Sequence, residues 1–150
     1  MYTSQLSEAL QRNPITEGMF AGVYPSNYTP DRALPHAERK RLYIINTQPN
    51  HLGGEHWVAL YYGIDDCVYY FDSYGLKPHR NIYRKLRHFK KIRLWPRRLQ
   101  GFQDTCGLYC LCFALSVAGG FNLNIFGDNW RANDRIVRRE TLKRFRWRTK

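Results

Sequence analysis

The sequence predicts an α+β fold, a mixed and largely antiparallel central sheet packed with helices, in which Cys106 stands at the N-terminus of a buried central helix. Three observations lead there. Short runs of β-branched and aromatic residues are bounded by turn residues, as strands are. Two of these runs, Trp57 to Tyr62 and Val68 to Phe71, are separated only by Gly63 to Asp66 and read as a hairpin. From Cys106 onward, apolar side chains (Leu108, Leu111, Phe113, Ala114, Leu115, Val117, Ala118) occupy every face of a helix until Gly119-Gly120 stops it, which marks a helix buried on all sides.

The remaining elements follow in order. Leu6, Ala9 and Leu10 mark a short first helix, and Pro14, Pro25 and Pro30 punctuate a loop that can line a cleft. Leu42 to Asn46 reads as a buried strand ended by Pro49 and Gly53-Gly54. Tyr83 to Phe89 is a basic helix, Ile92 to Trp95 a short strand closed by Pro96, and Asn133 to Phe145 an Arg-rich last helix. No repeat, low-complexity tract or Gly/Ser linker divides the chain, so a single domain over 1–150 is expected, probed by a 43% hydrophobic composition sufficient for a core.

Composition narrows the function classes. The longest apolar run, Leu108 to Ala118, is shorter than the roughly 20 residues of a membrane span, and no apolar signal segment opens the sequence, so a soluble intracellular protein is expected. Cys67, Cys106, Cys110 and Cys112 are too few and too clustered for a disulfide framework, and C-x3-C-x-C is not a usual zinc spacing. Residues 1–78 hold six Lys/Arg against eight Asp/Glu, a balance of −2, whereas residues 79–150 hold eighteen against four, a balance of +14. So uneven a distribution points to contact between the basic half and nucleic acid. A basic nucleic-acid-binding module without chemistry is the competing class, since Arg80 to Arg98 and Arg131 to Lys150 interleave cations with aromatic rings.

Four residues suggest chemistry when taken together. Cys106 at a helix N-terminus has its thiolate favoured by the helix dipole, with Asp104 or Thr105 placed to cap that helix. If the hairpin turn centres near Asp65, Tyr62 lies opposite Val68 and Val58 opposite Asp72, which puts His56 diagonal to Asp72 on one face. A one-residue slip reverses that face. Gln100, six residues before Cys106, stands where its amide and the Cys106 N–H can hold a developing oxyanion. Each also has an ordinary reading: a packed thiol, a strand-end histidine, a turn aspartate before Ser73 and Gly75, and a loop glutamine.

The segments GEHWVALYYG, VYYFDSYGLKP and LQGFQDTCGLYCLCF resemble the three catalytic blocks of adenovirus-type and ubiquitin-like-protein-processing cysteine peptidases. The pattern HW, (F/Y)-(D/E)-S-x-G and Q-x5-CG-x-(Y/F) implies His56 as base, Asp72 as its orienting acid, Gln100 as oxyanion donor and Cys106 as nucleophile. YIINTQPNHLGGEHWVAL and FGDNWRANDRIVRR are similar to blocks of the branch found in adenovirus-like viruses and virus-derived DNA transposons. That resemblance implies a monomeric thiol endopeptidase that cleaves capsid and core precursors, after small residues such as Gly, during virion maturation. It further implies action in the host nucleus and virion, no cofactor for the chemistry itself, and DNA and a short viral peptide as activators. The peptide of adenovirus protease is disulfide-linked; Cys67, in the hairpin, is the candidate partner here, and peptide activation stays open. Processing of ubiquitin-like modifiers after Gly-Gly is the nearer alternative.

Overall fold

The computed structural model describes residues 3–28, 41–47, 56–64, 66–101 and 104–147. Five strands form one sheet in the order β1 (Phe20–Pro25), β2 (Leu42–Asn46), β3 (Trp57–Tyr62), β4 (Cys67–Phe71) and β5 (Lys91–Leu94). Its centre, β2–β3–β4, is antiparallel, and a parallel pair closes each edge, β1 on β2 and β5 on β4. Among the described residues four α-helices accompany it: α1 (Thr3–Arg12), α2 (Arg80–Leu86), α3 (Cys106–Val117) and α4 (Trp130–Arg144).

Side-chain alternation along the strands divides the interior into two apolar layers. Leu42, Ile44, Trp57, Ala59 and Phe71 face the layer built with α1, α3 and α4, while Tyr43, Ile45, Val58, Leu60, Tyr62, Val68 and Tyr70 face Ile82 and Leu86 of α2. Burial on both faces explains why these strands read as continuous apolar runs rather than as alternating ones. Helix α3 lies against β3 and is enclosed over most of its length, from Cys106 to Leu115. Among the described residues no helix is long and apolar enough to cross a membrane.

Strand β1 departs from the expected loop. It is half-buried, carries Gly22 at a positive φ of 148° where its register with β2 shifts, and ends in Pro25. Gly and Pro are tolerated there because only one side of an edge strand needs ladder donors, and those same residues hide it from sequence reading. Pro30, Pro49, Gly53-Gly54 and Asp65 lie outside the described residues. Helix α2 begins three residues earlier than expected, at Arg80 after Pro78 and His79, and gives way to turn after Leu86. Helix α4 likewise starts earlier, at Trp130, because the Asn129 side chain accepts the Ala132 N–H at 3.0 Å and caps it.

Phe71 links the sheet to α3. Its ring is fully buried, stacks on Phe113 at 4.9 Å and 17°, and lies 5.7 Å from Trp95. Replacing it with Ala leaves an unfilled cavity against Phe113 and Trp95. Phe71→Ala is therefore expected to lower folding stability by about 3–5 kcal/mol, read from the urea-unfolding midpoint at constant slope.

Candidate active site

The observed register pairs Tyr62 with Val68 and Ala59 with Phe71, as the turn geometry predicted. His56 stands one residue before β3 and Asp72 one residue after β4, so both lie at the end of the sheet where α3 begins. His56 Nε2 and Asp72 Oδ1 are 2.9 Å apart. Cys106 is near enough to act on the ring's titration, and with Nε2 engaged by Asp72 the nitrogen left for sulfur is Nδ1. The structure thus brings His56 and Asp72 into direct contact, with Cys106 close by.

The charge state of His56 follows from competing effects. Burial pulls the imidazole pKa down, but hydrogen bonds to Asp72 and Cys106 and their negative charge outweigh it and raise the pKa from 6.5 to about 9. Asp72 itself is buried, and its Oδ1 also accepts the Tyr74 N–H at 2.8 Å. The Tyr74 ring lies 5.1 Å from the imidazole and covers one side of it.

Gln100 is placed by the turn that carries Asp72. Gly75 adopts a φ of +69°, and a Cβ there would come within 2.6 Å of Arg97 backbone, so this tight Asp72–Gly75 turn requires glycine. It brings Ser73 against the incoming chain: the Ser73 carbonyl accepts the N–H groups of Leu99 and Gln100 at 2.7 and 3.1 Å. Ser73 Oγ donates to Gln100 Oε1 at 2.5 Å, which assigns the amide so that Nε2 is its donor end. Ser73 is a site residue that sequence reasoning passed over; its signal was its place between Asp72 and Gly75 in the D-S-x-G segment.

Cys106 is the first residue of α3 and only 2% exposed, with Asp104 Oδ1 3.8 Å from Sγ. Thr105 occupies the N-cap position but does not cap; its hydroxyl donates instead to Asp134 Oδ1 at 3.0 Å. The positive dipole end of the helix therefore lies beside the sulfur. Cys110 and Cys112 are core residues, their thiols pushed up by burial, Cys112 to about 12. Cys67 is buried and unbridged in β4. Among the described residues no three His, Cys, Asp or Glu side chains converge as a metal-ligand set.

Because the folded-state pKa of His56 is raised, its contribution to stability is complete below pH 6.5 and lost as pH rises through about 9. The imidazole is expected to remain protonated at neutral pH and to titrate near 9 in a carbon-detected or proton NMR titration. Asp72→Asn removes the negative partner and should move that midpoint down; an unshifted midpoint would contradict the role of the carboxylate.

No protein-family model and no curated protein sequence matches the chain. Among solved structures it is similar to the ASFV pS273R protease, at 21% identity and TM-score 0.49 over 71% of this chain and 43% of that one. It is also similar to the C-terminal Ulp1 protease domain, solved in complex with Smt3, the yeast ortholog of SUMO, at 16% identity and TM-score 0.41 over 69% of this chain and 51% of that one. The chain thus spans about half or less of both. A third likeness, at 13% identity and TM-score 0.44, is to the central domain of the uncharacterized Lpg1148 protein from Legionella pneumophila, covering 83% of this chain and 84% of that one.

Proposed function

We propose that the chain is a cysteine peptidase in which Cys106 is the nucleophile, His56 the general base and acid, Asp72 the residue that orients His56, and Gln100 an oxyanion donor. The observation that carries this reading is the position of the His56 ring, hydrogen-bonded to a buried carboxylate and near enough to a cysteine at a helix N-terminus to share its charge. Either half of that arrangement occurs for structural reasons; both on one imidazole form the relay of an activated thiol.

The chemistry follows from the atoms. At neutral pH His56 already holds the proton that Cys106 has given up, and the thiolate of this pair adds to the scissile carbonyl carbon. Negative charge then collects on the carbonyl oxygen, where Gln100 Nε2 and the Cys106 N–H are donors that need no reorganisation. Collapse expels the amine, which takes the proton from His56, and leaves a thioester on Cys106. Water attacks the thioester while His56 accepts its proton; the second collapse releases the acid and restores the thiolate beside the protonated imidazole.

The finer reading is that the substrates are capsid and core precursor proteins cut after a small residue, in the host nucleus and virion, with DNA as a stimulating polyanion and a short peptide as a possible second activator. The sequence blocks around His56 and Asn133 support it, and so do the cations of the second half. Arg84, Arg87, Lys90, Lys91 and Arg93 stand exposed along α2, β5 and the turn between them, and Arg131, Arg135, Arg138 and Arg139 along α4. The alternative substrate, a folded modifier ending in Gly-Gly, is an arm of the same experiment.

Incubation with both substrate classes, with and without DNA, and mapping of the cut sites tests the proposal. Cys106→Ala should retain the fold and show no cleavage; cleavage by that variant excludes Cys106 as nucleophile. Gln100→Ala should slow turnover by about 10²- to 10³-fold. Stimulation by DNA should fall steeply between about 50 and 200 mM salt, and activity indifferent to DNA removes the polyanion from the proposal.

A further inference from the structure

Asp134 is a charged residue that the chemistry above does not use, yet it is only 2% exposed. Its carboxylate receives the Gly101 N–H at 3.1 and 3.2 Å, the Thr105 hydroxyl at 3.0 Å and the Tyr109 hydroxyl at 2.8 Å. All three donors belong to the segment that starts beside Gln100 and runs through Cys106 into α3. The neighbouring Asn133 is equally buried, and its amide bridges the Leu99 carbonyl at 3.1 Å and the Gly127 carbonyl at 2.8 Å.

Together with Ser73 and Arg98, these two residues engage every backbone polar group of Leu99, Gln100 and Gly101. Ser73 takes the N–H groups of Leu99 and Gln100. Asn133 takes the Leu99 carbonyl. The Arg98 guanidinium takes the carbonyls of Gln100 at 2.7 Å and Gly101 at 3.2 Å, while lying 3.8 Å over the Trp130 ring. Asp134 takes the one that remains, the Gly101 N–H. The fit at that last contact is close, since a Cβ on Gly101 would stand 2.6 Å from Asp134 Oδ2.

A buried carboxylate is a poor device for stability alone, because an apolar residue of similar volume often does as well. What it does supply is direction: three donors from separate turns of chain must converge on two oxygens. We propose that Asp134 is a positioning residue, which holds the Gln100–Cys106 segment so that the oxyanion donors are aimed before substrate arrives. Fixing donors in advance is where such sites gain rate, and a displacement of about 1 Å is worth on the order of 100-fold. The inference rests on the peptidase reading and deepens it.

The test separates oxyanion positioning from thiol reactivity and from folding. Acylation of Cys106 by p-nitrophenyl acetate passes through a tetrahedral oxyanion, whereas its alkylation by iodoacetamide does not. Asp134→Asn, which presents an amide to the Gly101 N–H, and Gly101→Ala, which pushes on the intact carboxylate, are each expected to slow acylation on the order of 10- to 100-fold. Both should leave the alkylation rate, and its dependence on pH, as in the wild type, and Gly101 amide exchange should quicken in Asp134→Asn. Acylation at the wild-type rate overturns the proposal, and so does a loss of alkylation in step with acylation, which places Asp134 in the fold or the thiol's activation instead. A wild type no faster than Cys106→Ala in both reactions sinks the peptidase reading itself and this inference with it, an outcome distinct from either.

Discussion

The hydrogen bond between His56 and Asp72 exists because of the register of one hairpin. Tyr62 opposite Val68 brings the start of β3 and the end of β4 level with each other, and the two side chains meet at 2.9 Å. Strand geometry makes this an all-or-nothing arrangement, since a slip of one residue sends both side chains to opposite faces. The register is in turn held by burial on both faces, with Ala59 and Phe71 against α3 and Leu60, Val68 and Tyr70 against α2. Packing far from the imidazole therefore fixes its partner.

Around that bond, the polar groups at the sheet end are arranged in nested layers. Asp72 orients His56 and also closes the turn through Tyr74; that turn presents Ser73, and Ser73 fixes both the backbone and the side-chain oxygen of Gln100. From the opposite side, α4 contributes Asn133 and Asp134 to the same segment. Burial makes each of these bonds consequential, because an orphaned donor or acceptor in the interior costs its full desolvation. A site of this kind is rigid for a physical reason, and rigidity suits the aiming of donors at a transient charge.

Much of the fold was legible because it depends on local pattern. Strands β2 and β3 and the start of α3 fall where the apolar runs, the Gly-Asp turn and Gly119-Gly120 put them. Strand β1 was not legible, since an edge strand with Gly22 and Pro25 carries the residues of a loop and owes its shape to pairing with β2. Ser73, Asn133 and Asp134 were in view in the motifs but without a role. Asp104 or Thr105 was expected to cap α3, and only the arrival of α4 gives the Thr105 hydroxyl a different partner.

By itself, the sequence determined which side chains are available and in what order along the chain: an acidic residue after an aromatic strand, a glutamine six residues before a cysteine, and a cysteine opening an apolar helix. These are consequences of local spacing, because strand alternation and helix periodicity act over a few residues. Tertiary structure alone decided the convergence of Ser73 on Gln100 and of Asp134 on Gly101, contacts between residues 27 and 33 positions apart. Hydrogen bonds at that separation form only after the apolar layers have brought the sheet end, the loop and α4 together.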